Sequence, residues 1–149
     1  LTGRPGRERQ PDCRRGRALG CRGPGEGAGK FDRPSGIAID SSGSLYVADS
    51  GNDRIQKFNS KGEYVSQFGT YGTADGQFAN PQAVDITAAG NVVVTDRETG
   101  RVQLFTPSGE FLNKFSSNAW EPDGIATAPN GVFYVANSRN NRIDKWVQP

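Results

Sequence analysis

Histidine and methionine are absent from the 149 residues, and cysteine occurs only twice. Without histidine, neither a Ser-His-Asp nor a Cys-His relay can be assembled, and a His-ligated metal site is excluded. Cys13 and Cys21 are too few, with no histidine beside them, for the ligand set of a structural zinc. A disulfide between them in an oxidising compartment would close a loop outside the patterned part of the chain; two unpaired thiols in the leader is the plainer expectation. Helical periodicity is missing too: no segment places apolar residues at i, i+3, i+4 and i+7 over three turns, so no substantial helix is expected. No run is long and apolar enough to suggest a membrane span, and the N-terminal part lacks the stretch of ~7–15 apolar residues that marks a signal peptide. The lack of an initiator methionine points to a fragment or a processed chain. Of the common metals, only calcium, which takes oxygen ligands, survives these exclusions.

What the chain does have is a unit repeated almost three times. "PSGIAIDSSGSLYVADSGNDRIQKFNSKGEYVSQF" spans 34–68; "PQAVDITAAGNVVVTDRETGRVQLFTPSGEFLNKF" begins at Pro81; "PDGIATAPNGVFYVANSRNNRIDKW" begins at Pro122. The prolines are 47 and 41 residues apart. The same offsets relate Gly43, Gly90 and Gly131; Asp49, Asp96 and Asn137; Arg54, Arg101 and Arg142; and Phe58, Phe105 and Trp146. The extra residues fall between Phe68 and Pro81, around "GTYGTADGQ". A period of ~40–45 residues belongs to a propeller blade or a similar stacked unit.

Each copy divides into four short runs rich in Val, Ile, Tyr and Phe, separated by turn residues. In the first copy they are 36–39, 45–48, 54–58 and 63–68. That is strand length. In the third run Ile55 and Lys57 point one way, Gln56 and Phe58 the other. Gly43, Gly90 and Gly131 suit a hairpin position of positive φ, and Gly62 and Gly109 do the same for the third connection. Four antiparallel strands per unit describe a β-propeller blade. Such a blade has two apolar faces, which explains why the first run reads "GIAI" without strict alternation.

These residues resemble the NHL-repeat family: the Pro-x-Gly-Ile-Ala start, the Tyr-Val-Ala-Asp end of the second strand and Asn-x-Arg-Ile-Gln-x-Phe all stand in "GKFDRPSGIAIDSSGSLYVADSGNDRIQKF". The resemblance covers roughly 22–149. It implies an all-β fold of NHL-type blades, approximately 31–68, 78–115 and an incomplete 120–149, forming part of a six-bladed propeller. NHL propellers occur as RNA- and protein-binding ends of tripartite-motif ubiquitin ligases, in extracellular sensor regions of bacterial kinases and in secreted bacterial proteins. The related amidating lyases depend on a His-ligated metal, so this chain alone is expected to lack that activity. A closed propeller uses at least four blades. Three would leave two open apolar faces, to be covered by further blades of a longer chain or by a second copy.

The leader, "LTGRPGRERQPDCRRGRALGC" (1–21), is of another kind. Residues 1–30 hold eight Lys/Arg against three Asp/Glu, with eight Gly and three Pro. Such a composition cannot bury enough surface to offset its ordering entropy, so 1–21 is expected to be disordered and dispensable. An anionic partner such as RNA is the functional alternative for it. The repeats from 31 to 149 hold ten Lys/Arg and thirteen Asp/Glu. Phosphate neutralisation dominates nucleic-acid affinity, so this mildly acidic body is not expected to bind nucleic acid. "RGPGEGAGKFDR" (22–33) aligns with "GTYGTADGQFAN" (69–80), the connection that leads into a blade.

Asp49, Asp96 and Asn137 could form a ring of acceptors, but they recur beside Arg54, Arg101 and Arg142. An architectural role is the better expectation, each oxygen accepting from backbone N–H groups of the following turn. If exposed, each Arg pairing adds ~0.2–1 kcal/mol. Phe58, Phe105 and Trp146 are expected to be packing residues. Asp85 replaces the Ala38 and Ala126 of the other copies in the first strand, which lines the channel of a propeller; a water contact there is the plainer expectation, and a calcium ligand the alternative. Tyr71, Asp75, Arg97, Glu98, Trp120, Glu121 and Arg139 differ between copies. They fall in the fourth-to-first and second-to-third connections, which share one face of a propeller. Loops on a rigid scaffold commonly carry recognition, so these seven are the candidate face for a protein or small ligand. The expected function is a non-catalytic binding or scaffold module. A calcium-dependent hydrolase or lactonase-like propeller and an RNA-binding module are the alternatives. Finally, Gly90→Val is expected to destabilise more than Gln103→Ala, because only the glycine carries an evident conformational demand.

Overall fold

The structure is a computed structural model that describes Leu19 and residues 24–116 and 120–148. The expectations for the 1–21 leader, including its two cysteines, lie almost wholly outside these residues.

Among the described residues, eleven strands form three antiparallel sheets. Blade 1 holds β1 (Pro34–Ile39), β2 (Leu45–Asp49), β3 (Arg54–Phe58) and β4 (Tyr64–Phe68), in the order β1-β2-β3-β4. Blade 2 repeats this with β5 (Pro81–Ile86), β6 (Val92–Asp96), β7 (Arg101–Phe105) and β8 (Phe111–Ser116). Blade 3 has three strands among the described residues: β9 (Pro122–Thr127), β10 (Val132–Asn137) and β11 (Arg142–Val147). The register repeats as well, Asp49 opposite Arg54, Asp96 opposite Arg101 and Asn137 opposite Arg142. The helical content among the described residues is two three-residue 3-10 turns, Ser50–Asn52 and Ser138–Asn140.

Local chemistry sets these boundaries. A proline opens β1, β5 and β9, where the missing N–H costs no interior ladder bond. The first hairpin of blade 2 closes through Gly90 N–H to Thr87 O at 2.9 Å, with Gly90 at φ 86°. Gly43 and Gly131 hold the same place at φ 84° and 77°. A β-branched residue resists this left-handed backbone.

The apolar core lies between blades. Tyr46, Ala48 and Ile55 of blade 1 pack on Val84, Val92, Val94 and Phe105 of blade 2, with Phe78 from the intervening connection. Val93, Val102 and Leu104 of blade 2 face Phe133 and Val135 of blade 3, with Trp120. Burying each large side chain is worth ~1.5–3 kcal/mol, so neighbouring blades stabilise one another. Phe58 and Phe105 are buried as expected, and Trp146 is half-buried against Phe115 and Trp120 at ring distances of 5.8 and 5.5 Å.

The connections 24–33 and 70–80 are superimposable in their bonding. A parallel bridge joins Pro24 to Phe31 in one and Tyr71 to Phe78 in the other. Gly25 N–H donates to Phe31 O at 3.1 Å, and Gly72 N–H to Phe78 O at 3.0 Å. Each connection folds over the blade that follows it and forms the rim described next.

Candidate binding face

A buried polar clamp holds each rim connection. In blade 1 the Asp49 carboxylate sits at the end of β2. It accepts from Arg54 Nε at 2.7 Å, Gln56 Nε2 at 3.0 Å, Asn52 Nδ2 at 3.0 Å and Asp32 N–H at 2.8 Å. Arg54 then donates to the carbonyls of Glu26, Gly27 and Lys30, while Gln56 accepts from Gly29 N–H at 2.9 Å and donates to Lys30 O at 2.6 Å. Blade 2 repeats the device. Arg101 donates to Thr73, Ala74 and Gln77 carbonyls, and Gln103 accepts from Gly76 N–H at 2.9 Å and donates to Gln77 O at 2.7 Å. Asp96 accepts from Ala79 N–H at 2.9 Å and Thr99 Oγ1 at 2.6 Å, but Arg101 Nε stands 3.5 Å away. Burial pushes the Asp96 carboxyl up to about 6, against the lowering effect of Thr99, Ala79 and Arg101.

The architectural role expected for Asp49 and Asp96 therefore holds, with two corrections. Their backbone donors come from the preceding connection rather than the following turn. The Arg pairs are buried, Arg54 only 7% and Asp49 0% exposed, so the scale for an exposed pair does not apply. Removing one partner of a buried pair costs ~3–5 kcal/mol. The clamp glutamines also overturn the expectation of a tolerant Gln103. Gln103 is 0% exposed and satisfies two backbone groups of the rim. Its recurrence as Gln56 at the same offset was the signal available in the sequence.

Two clefts flank Tyr71, which is 75% exposed. One, of about 440 Å³, lies over blade 2 and is lined by Tyr71, Thr73, Glu98, Thr99, Arg101 and Lys114 among others. The second, of about 380 Å³, lies over blade 1 and includes Glu26, Asn52, Asp53, Arg54, Gln67 and again Tyr71. Arg54 and Arg101 are engaged by the clamps, and Lys114 Nζ bonds Asp75 Oδ1 at 2.6 Å. The charge left to a visitor is mainly that of Glu26, Asp53 and Glu98.

The other candidates form a second group along the same rim. Glu121 lies 3.5 Å from Arg97 and 3.6 Å from Arg139, and Arg97 also reaches Asp123 at 3.5 Å. Tyr71, Asp75 and Glu98 thus gather at the clefts, and Arg97, Glu121 and Arg139 at the next junction. Trp120 belongs to neither. It is buried in the core between blades 2 and 3, its ring tilted against Trp146 as Phe31 lies against Phe58 and Phe78 against Phe105. It fills an aromatic packing position. Asp85 ties blade 2 to blade 3: one oxygen accepts from Ile86 N–H at 2.8 Å, the other from Thr127 N–H at 2.7 Å. The described residues contain no group of three or more Asp, Glu, Cys or His arranged to hold a metal.

The description "NHL repeat" matches residues 31–58, 78–105 and 120–146. Protein brain tumor of Drosophila melanogaster is 43% identical over 47 residues, which is 32% of this chain and 4% of that protein. Protein lin-41 of Caenorhabditis elegans is 38% identical over 66 residues, 38% of this chain and 6% of that protein. The chain thus spans a small fraction of these relatives. Among solved structures, virginiamycin B lyase from Staphylococcus aureus aligns with TM-score 0.62 at 17% identity, over 80% of this chain and 42% of the lyase. The WD40 beta propeller domain of Doa1 aligns with TM-score 0.61 at 15% identity, over 76% of this chain and 36% of that one. At such identities the shared property is the propeller fold.

Proposed function

The chain belongs to the NHL-repeat family, and from that premise we propose that it is a non-catalytic binding module whose rim takes an extended, basic segment of a partner protein. The observation that carries this reading is Tyr71, an exposed aromatic wall shared by two clefts. Tyrosine supplies contact area at low entropic cost and is enriched where binding energy concentrates. The acids Glu26, Asp53 and Glu98 on either side favour Lys or Arg in the visitor, and the clamps beneath hold the rim in place before binding. Calcium-dependent hydrolysis is the weaker reading, since both Asp85 oxygens already accept from backbone N–H groups. RNA binding rests on the basic composition of the leader, which lies almost wholly outside the described residues.

Panning a displayed random-peptide library against the 149-residue chain tests the proposal. Enriched peptides should be basic, and Tyr71→Ala and Glu98→Lys should each weaken them roughly tenfold or more, the ~1.4 kcal/mol expected of an anchor contact. Enrichment of acidic peptides, or binding indifferent to both substitutions, would overturn it.

A further inference from the structure

The two clefts beside Tyr71 are copies of one another, one blade apart. Shifted by 47 residues, Glu26, Asn52, Arg54 and Gln67 of the blade 1 cleft become Thr73, Thr99, Arg101 and Lys114 of the blade 2 cleft. The two floors differ in how fully the arginine is used. A guanidinium carries five N–H donors. Arg54 uses all five. Nε donates to Asp49 at 2.7 Å, Nη1 to Glu26 O and Gln67 Oε1 at 2.5 and 3.1 Å, and Nη2 to Gly27 O and Lys30 O at 3.2 and 3.0 Å. Arg101 meets three acceptors among the described residues. They are Thr73 O on Nη1 at 2.8 Å, and Ala74 O and Gln77 O on Nη2 at 3.1 and 2.7 Å. Its Nε stands 3.5 Å from Asp96 and is buried without a hydrogen bond. The side chain is only 7% exposed, so its unused donors are costly to leave unmet.

The unused donor on Nη1 has a cause in the sequence. Gln67 stands opposite Gln56, and Lys114 opposite Gln103, the same register position in the two blades. In blade 1 the amide oxygen of Gln67 answers Nη1. Lys114 has donors only; it turns to Asp75 Oδ1 at 2.6 Å and gives Arg101 no acceptor. A second change accompanies the first. Glu98 stands where blade 1 has Gly51, lines the same cleft as Arg101 and takes no part in the ion pairs of the rim. The blade 2 cleft thus holds an unused donor at its floor and an unused acceptor on its wall.

A primary amide carries the matching pair in one group, an oxygen that accepts and an NH2 that donates. Gln67 is the precedent within this molecule. A carboxylate would also answer Arg101, but it would bring its charge against Glu98 and Asp75. A Lys or Arg would answer Glu98 and leave Arg101 unmet. On the reading of the rim as a peptide-binding face, we propose that the blade 2 cleft is an amide pocket. It takes a Gln or Asn side chain of the visiting segment, whose oxygen accepts from Arg101 Nη1 and whose N–H donates to Glu98. The basic residue of the same segment enters the blade 1 cleft beside Glu26 and Asp53, and Tyr71 separates the two pockets.

Lys114→Gln tests this by giving blade 2 the internal acceptor that blade 1 already has. Its urea midpoint should match or exceed that of wild type, since the pair lost with Asp75 is an exposed one. A displayed peptide library panned against the wild-type chain should enrich Gln or Asn at a fixed spacing from Lys or Arg. Against Lys114→Gln the basic preference should stay and the amide preference should vanish. Replacing the amide residue of an enriched peptide by Ala should weaken binding to wild type about tenfold, and binding to the variant hardly at all. Asp or Glu selected at that position, no enrichment of Gln or Asn, an amide preference that survives Lys114→Gln, or a lowered midpoint would each overturn the amide pocket. Basic peptides that still depend on Tyr71 would then leave the rim standing as a binding face, whereas a wild-type pool without basic preference would remove both readings.

Discussion

Blades 1 and 3 solve one electrostatic problem in opposite ways. In blade 1 the acid is on β2 and the amide on β3: Asp49 and Gln56 flank Arg54. In blade 3 the two have changed places. Asn137 occupies the β2 position, Asp144 the β3 position, and Arg142 Nε still finds a carboxylate at 2.7 Å. Asn137 Nδ2 completes the group by donating to Asp144 at 2.8 Å. Burial works against the Asp144 charge, but the hydrogen bonds from Asn137 and Arg142 outweigh it and hold the carboxyl below its usual range. The blade therefore requires one negative charge beside the arginine, on either strand. The settings differ as well, since Arg142 is 57% exposed and Arg54 only 7%.

That contrast can be broken first at the acids. Asp49→Ala should cost ~3–5 kcal/mol, because it strands a buried guanidinium. Asp144→Ala should cost less, ~1–3 kcal/mol, because water reaches Arg142 and only the buried Asn137 amide loses its acceptor. Urea midpoints of the two variants check this, and equal midpoints would dissolve the distinction between a buried and a solvated clamp. The contrast sharpens if blade 1 is rewritten in the manner of blade 3. Asp49→Asn alone should destabilise, and adding Gln56→Asp should recover ~1 kcal/mol or more, the interaction energy of residues sharing one network. A double variant no better than the single would mean that the β3 position cannot serve Arg54.

Within blade 2, Gln103→Ala should cost ~1–3 kcal/mol by leaving the Gly76 N–H and Gln77 carbonyl unpaired. A Cβ at Gly90 meets no neighbouring atom, and Gly90→Val should cost ~1–2 kcal/mol from its backbone conformation. Denaturant midpoints should thus place the glutamine variant at or below the glycine variant, reversing the order read from the sequence. The last effect concerns pH. The folded Asp96 carboxyl titrates near about 6, above its ordinary 3.8. Its proton is held more tightly in the folded chain, so its stabilising contribution is complete below that ordinary value and fades as pH rises through about 6. Asp96→Asn removes this dependence. The stability of wild type relative to the variant should fall between pH 4 and 6 and level off above. A constant difference across that range would show that Asp96 is ionised throughout.

The strands and turns were legible because turn glycines and apolar runs recur at fixed offsets, and periodicity survives without knowledge of contacts. The clamp was half legible. Asp and Arg showed themselves by recurrence, but Gln56 and Gln103 alternate with apolar residues in β3 and β7, which reads as a solvent-facing pattern. Only the connection folded over them makes that face an interior. Trp120 escaped for a related reason. Its connection to Pro122 is one residue shorter than that from Phe78 to Pro81, so a rigid offset misses the aromatic position it fills. The gathering of Tyr71 with Glu98, and of Arg97 with Glu121, depends on how adjacent blades sit together, which no single repeat encodes.

The clamp has one property with a wider reach. Every bond that Arg101 and Gln103 make to the connection ends on its main chain, at Thr73, Ala74, Gly76 and Gln77. Thr73, Ala74 and Asp75 turn their side chains outward. The scaffold thus grips the loop by its spine and is indifferent to most of its lettering. Such a rim can change what it recognises by single substitutions while its foundation stays untouched, and the same indifference makes 73–75 the natural place to graft a new specificity.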